Sequence, residues 1–303
     1  MSRRLLVFLI GLLWPGIVSA ACSVQRRTVV TLEVAGTLIL TPVMVNGILG
    51  TFILDTGAER TVVTPDAVGH LGLVLDEWTA TTMRGVGGVE RRRNAIPRSV
   101  ELGGIALRRR SLARDATLRV ATLPLNAMGN RRIDGLLGRD FLSAFDLSLD
   151  VPHRSLTLYD VRDCSGRFLP WTDEYLSVPV ENPAESALVV PVTLDGVPLR
   201  ALLDSGASQT LVAAPGMARL ALGLDRLDGD PRHIVNGMGP RAVTMWQHRF
   251  RALQFGGETF ADPVFLVAPI QLNPISDMLL GADWLSGRRV WISYTTSQLF
   301  ATR

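Results

Sequence analysis

The chain has 303 residues, 47% hydrophobic and 19% charged, a globular composition far from that of disordered segments. Its 31 basic residues are all arginine, so a phosphate-loop lysine, a Schiff-base lysine and a serine–lysine dyad are excluded. A net charge of +3 gives no ground for nucleic-acid binding, and the four scattered histidines form no H-E-x-x-H pair for a metal.

The first segment reads as a secretory leader. Arg3 and Arg4 precede an apolar run from Leu5 to Leu13, followed by Pro15-Gly16 and the small residues Ser19, Ala20 and Ala21. That order predicts a signal peptide over residues 1–20, cleaved after Ala20. The run is too short to span a bilayer as an ordinary helix. Removal of Arg3 and Arg4 lowers the net charge from +3 to +1. The expected location is the bacterial periplasm or cell envelope. Cys22 then lies beside the new N-terminus, and two readings stand for it. A lipid anchor would need an acylated Cys22, although Ser19 occupies the place usually held by an aliphatic residue. The other reading is a disulfide with Cys164, the only other cysteine, as exported chains commonly form. Membrane association is expected only in the first case.

Beyond the leader the signal is β. Val29 to Val34, Leu38 to Val45 and Thr51 to Leu54 are short runs rich in aliphatic or β-branched residues, and Ala187 to Leu194 and Arg200 to Leu203 repeat the pattern. Asn46-Gly47 and Asp195-Gly196 mark hairpin turns between them. Short helices are expected over Arg139 to Phe145 and Ala282 to Leu285, with helical turns near Pro65 to Leu71 and Pro215 to Leu222. The segment 160–183 carries Pro170, Pro179 and Pro183 and reads as a connector between lobes spanning 28–159 and 184–303.

Those two lobes repeat each other. PVMVNGILGTFILDTGAERTVV from residue 42 aligns without a gap on PVTLDGVPLRALLDSGASQTLV from residue 191. Three further blocks follow in the same order: Met83–Gly87 on Val235–Gly239, Leu102–Gly104 on Phe255–Gly257, and Asp134–Leu142 on Asp277–Leu285. Drifting offsets between ordered blocks mean duplication with changes in loop length.

Each copy delivers an apolar strand that ends in Asp-hydroxyl-Gly-Ala: Asp55-Thr56-Gly57-Ala58 and Asp204-Ser205-Gly206-Ala207. One copy alone is an ordinary turn sequence. Two copies in matched strand contexts point to a pair of carboxylates brought together for acid–base work. Gly57 and Gly206 permit a sharp turn, and the hydroxyls of Thr56 and Ser205 can hold the carboxylates by bonding to backbone.

Asp-Thr-Gly-Ala or Asp-Ser-Gly-Ala after an apolar strand, a glycine-rich hairpin some thirty residues on, and Leu-Leu-Gly before a short helix together resemble the retropepsin-like aspartic peptidases. The resemblance covers nearly the whole chain beyond the leader, twice over. It implies an all-β, duplicated acid-protease fold, two retropepsin-like β-barrel lobes with a cleft between them, in a monomer of pseudo-two-fold symmetry. Asp55 and Asp204 match the catalytic aspartates. Gly85, Val86, Gly87 and Gly88, with Gly237, Met238 and Gly239, match two flap tips. The Leu136-Leu137-Gly138 and Leu279-Leu280-Gly281 turns match the loops beneath the aspartates. The implied activity is peptide-bond hydrolysis of a peptide or protein, with no cofactor and no metal. A catalytically silent peptide-binding module on the same fold is the alternative, and pairing of each lobe with a second chain is another. Glu59 departs from the pattern, where Ser or Asp is commoner and where the second copy has Ser208.

Arg84 to Arg114 holds nine arginines against Glu90 and Glu101. Such runs are usually solvated hairpin faces; the functional alternative is a rim favouring acidic substrates or an anionic envelope surface.

Overall fold

A computed structural model describes residues 21–106, 117–123, 132–172, 174–181, 187–238, 241–272 and 275–302. The leader assigned to 1–20, the flap residue Gly239 and the arginines of 108–114 lie outside the described residues.

The hairpin of Leu38–Val45 and Ile48–Leu54 is built as its sequence suggests. Asn46 and Gly47 have φ of 54° and 81°, the left-handed pair that matches strand twist, and Asp195 and Gly196 repeat it at 51° and 83°. The Asn46 side chain also bonds to Leu71 O and Gly72 O, and its oxygen accepts from Arg98 N–H. Leu54 and Leu203, the residues before each aspartate, are fully buried. Burial of each such leucine contributes about 2 kcal/mol and fixes where the strand ends against the core.

In each lobe the strand before the aspartate is flanked by the Leu-Leu-Gly strand. Gly135–Leu137 runs parallel to Ile48–Leu54 and antiparallel to Val62–Val63. Met278–Leu280 does the same with Val197–Leu203 and Leu211–Val212. The Leu-Leu-Gly strand therefore lies between the strands before and after each aspartate, and the Asp-containing turn passes over its end. Short helices Pro65–His70, Arg139–Leu142, Ala214–Arg219 and Ala282–Leu285 close the lobes. Thr64 caps the first of these, its side chain accepting from Ala67 N–H.

The lobes share a six-stranded antiparallel sheet. Its order is Ser23–Thr31, Ser155–Arg162, Asp146–Asp150, Arg289–Ser293, Gln298–Thr302 and Tyr175–Pro179. The two halves meet where Leu147 pairs with Ile292 and Leu149 with Val290. Tyr175–Pro179 lies inside the segment read as a connector, yet it is the second lobe's counterpart of Ser23–Thr31. Two glycines make the equivalence visible. A Cβ on Gly103 would meet Thr28 and Val30 side chains at 2.7 and 2.8 Å, and one on Gly256 would meet Leu176 and Val178 at 2.8 and 3.0 Å. The expected first strand, Val29 to Val34, is two strands, Ser23–Thr31 and Glu33–Ala35, because the chain leaves the shared sheet at buried Leu32 to join the lobe.

Cys22 and Cys164 are disulfide-bonded across a sequence separation of 142, with Cα atoms 4.4 Å apart. The bond fastens the first strand to the end of its neighbour, since Ser23 pairs with Arg162. A sulfur in a disulfide carries no lipid, so this pairing and the anchor are exclusive. Among the described residues, no helix is long and apolar enough to cross a membrane.

Candidate active site

Asp55 and Asp204 sit at the ends of the matched strands and face each other. Their backbone N–H groups donate to Leu137 O and Leu280 O, each at 3.0 Å, so the Leu-Leu-Gly turns hold both residues from below. Within each turn one carboxylate oxygen collects two amides. Asp55 Oδ1 accepts from Gly57 N–H at 3.0 Å and Ala58 N–H at 2.8 Å. Asp204 Oδ1 accepts from Gly206 N–H and Ala207 N–H, both at 3.0 Å. The two carboxyls are close enough for each to act on the other's ionisation.

Thr56 and Ser205 lock the turns together. Thr56 Oγ1 donates to Leu203 O at 2.9 Å and Ser205 Oγ donates to Leu54 O at 2.6 Å. Each hydroxyl also accepts the partner's backbone N–H, from Ser205 at 3.1 Å and from Thr56 at 3.0 Å. Both side chains are buried. The four bonds cross from one lobe to the other, so the grip is made within a single chain.

The glycines are required by close approach. A Cβ on Gly57 would lie 2.4 Å from Asp204 Cγ, and one on Gly206 would lie 2.4 Å from Asp55 Cγ. At Gly138 and Gly281 a Cβ would strike the backbone carbon of Arg60 and of Gln209, each at 2.6 Å. Every position of the two motifs is thus set by a contact.

Electrostatics follow from this packing. Burial, and then the facing charge of Asp204, push Asp55 well above the ordinary carboxylate range despite the amides of Ala58 and Gly57. Burial likewise raises Asp204, held back by the amides of Ala207 and Gly206 and by the bond to Asp55. Two such groups titrate as a unit and carry one proton between them over an intermediate pH range. The Glu59 side chain is exposed beside Arg60, 3.4 Å away, and does not turn toward the pair.

Two flaps cover the site. The first is the hairpin of Val74–Gly85 and Gly88–Ile96, and the second that of Arg232–Asn236 and Ala242–Arg249. Their tips meet: Gly87 N–H donates to Met238 O at 2.9 Å, and Arg241 N–H donates to Gly87 O at 2.9 Å. A Cβ on Gly85 would lie 2.4 Å from Met238 O, and one on Gly237 would lie 2.5 Å from Val86 Cβ. Val86 packs on the apolar cluster of the second lobe with Leu202 and Leu279, whereas Met238 packs on that of the first with Ile53 and Leu136. Each tip reaches across the cleft. The structure thus brings together Asp55, Thr56, Gly57, Gly138, Asp204, Ser205, Gly206 and Gly281 on the floor, with Gly85, Val86, Gly87, Gly88, Gly237 and Met238 above.

The aspartyl protease family model matches residues 41–141 and 190–284, one stretch in each lobe and each containing its aspartate turn. The chain belongs to the aspartyl protease family. Among solved structures, it is similar to the aspartic proteinase from Irpex lacteus, with a TM-score of 0.50 and 12% identity. That alignment covers 93% of this chain and 97% of the other, a likeness of fold across both lobes. No curated protein matches the chain.

Sequence reasoning assigned no role to four further carboxylates that build this aspartyl protease site. Asp140 accepts from Thr61 N–H at 2.9 Å and Thr61 Oγ1 at 2.7 Å, and Thr61 Oγ1 in turn accepts from Gly138 N–H. Asp283, Thr210 and Gly281 repeat the triangle in the second lobe. Burial pushes Asp140 up, only partly offset by the Thr61 bonds. Asp134 and Asp277 accept from Thr51 N–H and Arg200 N–H, pinning the strands that lead to the aspartates. The signal was present, because all four aspartates recur at matched places in the repeated Asp-x-x-x-Gly-x-Asp block.

Proposed function

We propose that this chain is an exported aspartic endopeptidase that hydrolyses peptide bonds with Asp55 and Asp204 acting on one water. The observation that carries the reading is the face-to-face carboxyl pair on turns gripped by Thr56 and Ser205. With one proton between them, the ionised carboxylate takes a proton from the water as its oxygen attacks the peptide carbonyl carbon. The protonated carboxyl gives its proton to the carbonyl oxygen. The resulting tetrahedral species collapses as a proton passes to the nitrogen and the C–N bond breaks, leaving an acid, an amine and the dyad with one proton. No covalent enzyme intermediate is formed.

Export is supported by the leader-like first segment and by the Cys22–Cys164 disulfide, which suits an oxidising compartment such as the periplasm. The four-bond grip within one chain supports a monomer whose substrate is a peptide or protein threaded under the flaps. Incubating the purified chain lacking residues 1–20 with a mixed peptide pool, with and without pepstatin, tests the reading by mass spectrometry of the products. Pepstatin-sensitive cleavage is expected. Binding of peptides without cleavage would instead establish the silent module.

A further inference from the structure

We propose that the outer face of the two flap hairpins docks on an anionic phospholipid surface, an interaction beyond the peptidase reading and independent of it. In the first flap, Arg84 pairs with Val89, Thr82 with Arg91 and Ala80 with Arg93. Directly paired residues project to the same side of a sheet, and all six are exposed. The interleaved pairs, Met83 with Glu90 and Thr81 with Arg92, face the other way. There Met83 joins the first lobe's apolar cluster, and Glu90 is taken up by Arg92 and Thr122. The one acid of this paired stretch therefore lies beneath the hairpin. No described carboxylate pairs with Arg84, Arg91 or Arg93.

The two hairpins also carry exposed apolar side chains that solvent does not favour. Trp78 is 90% exposed, at the irregularity between Leu75 and Ala80. Its backbone N–H donates to Asp76 Oδ1 within that irregularity, and Asn94 holds the next residue, Thr79, by donating to its hydroxyl. Val89 is 48% exposed near the tip. On the second flap, Ile234 is 78% exposed and pairs with Thr244, while the interleaved Val235, Val243 and Met245 face the second lobe's cluster. Arg241, also exposed, lies where the tips are joined.

The roof of the cleft thus carries arginines with no carboxylate partner among the described residues, interspersed with exposed Trp and aliphatic side chains and with Glu77 as an exposed acid on the first flap. Arginine beside exposed tryptophan is interfacial chemistry: guanidinium groups meet phosphate, and the indole sits at headgroup level. Its Arg side chains stand along a two-stranded ribbon that forms a sheet of its own. A planar anionic surface fits that shape and charge better than an acidic polypeptide does.

The test uses the Asp204→Asn chain without residues 1–20, so that binding is read with no hydrolysis and does not depend on the peptidase reading. Co-sedimentation is measured with phosphatidylcholine vesicles with and without phosphatidylglycerol. Binding is expected only with phosphatidylglycerol and should weaken with salt. Arg91→Glu/Arg93→Glu should reduce it by about tenfold or more. Trp78→Ser should reduce it and abolish a blue shift of tryptophan emission. Unchanged melting curves establish that these exposed substitutions leave the fold intact, and Arg93→Gln alone is read if the double variant does not fold. Equal binding of parent and variants, equal binding to both vesicle types, or none to either overturns the proposal. Capture by polyglutamate without capture by vesicles also overturns it, in favour of an acidic polypeptide.

Discussion

Gly57 lies so close to the Asp204 carboxyl that a Cβ at residue 57 would stand 2.4 Å from Cγ and 2.7 Å from both carboxylate oxygens. The reciprocal approach of Gly206 to Asp55 makes the two turns a crossed pair. Gly57→Ala or Gly206→Ala should therefore displace the opposite carboxyl rather than its own. Each should lower kcat/KM by about a hundredfold or more, since small misplacements of reacting groups are that costly. Near-parent activity in either variant would refute the crossed geometry.

Asp55→Asn and Asp204→Asn should each reduce kcat by about a thousandfold or more, with no additive loss in the double variant, because the pair acts as a unit. Stability should change with pH in a definite direction. Both carboxyls are raised in the folded state, so folding favours their protonated forms. Below the ordinary carboxylate pKa both states are protonated and the site costs nothing. As pH rises through that value toward the folded one, the native state loses stability relative to the unfolded chain. Either Asn variant should thus melt higher than the parent at neutral pH, and the gain should vanish in acid. Thermal unfolding across a pH series reads this directly.

Activity should follow a bell-shaped pH profile with its limbs at the two ionisations of the pair. Only backbone amides of Ala58 and Ala207 reach the carboxylates from those positions. Ala58→Ser and Ala207→Ser would add a hydroxyl donor that favours the ionised form, moving the profile toward acid. An unshifted profile would show that the added hydroxyls do not reach the pair.

Thr56→Val strips Leu203 O and Ser205 N–H of their buried partner. The expected cost is about 1–3 kcal/mol in chemical denaturation. Adding Ser205→Ala should cost less than the sum of the single changes, because both act on one network.

The Cys22–Cys164 bond closes most of the first lobe into a loop. Cys22→Ser/Cys164→Ser should lower stability by about 2–5 kcal/mol while leaving activity at low temperature. Non-reducing mass spectrometry of the exported protein should show a mass lower by two hydrogen atoms than its reduced form. A diacylglycerol adduct at Cys22 would contradict the pairing.

Much of the site was legible before any coordinates, because its signals are local. The gap-free alignment from Pro42 and Pro191 places both Asp-hydroxyl-Gly-Ala turns after buried strands, and turn chemistry at Asn46-Gly47 and Asp195-Gly196 fixes the hairpins that carry them. Tyr175–Pro179 was not legible as a repeat of Ser23–Thr31. Its place comes from pairing with Gln298–Thr302, more than a hundred residues away, and from the packing of Leu176 and Val178 against Gly256.

The sequence by itself determined the duplication, the two aspartates and the residue types around them, since strand period, turn residues and repeat spacing are all short-range properties. Tertiary structure alone decided that Thr56 grips Ser205, that each glycine faces the opposite carboxyl, and that Val86 and Met238 cross to the opposite lobe. It also turned Arg84, Arg91 and Arg93 of the first flap to one face and left Glu90 with Arg92 on the other. Those relations depend on how two lobes come together, and a contact across 149 residues leaves no periodicity in the chain from which it can be read.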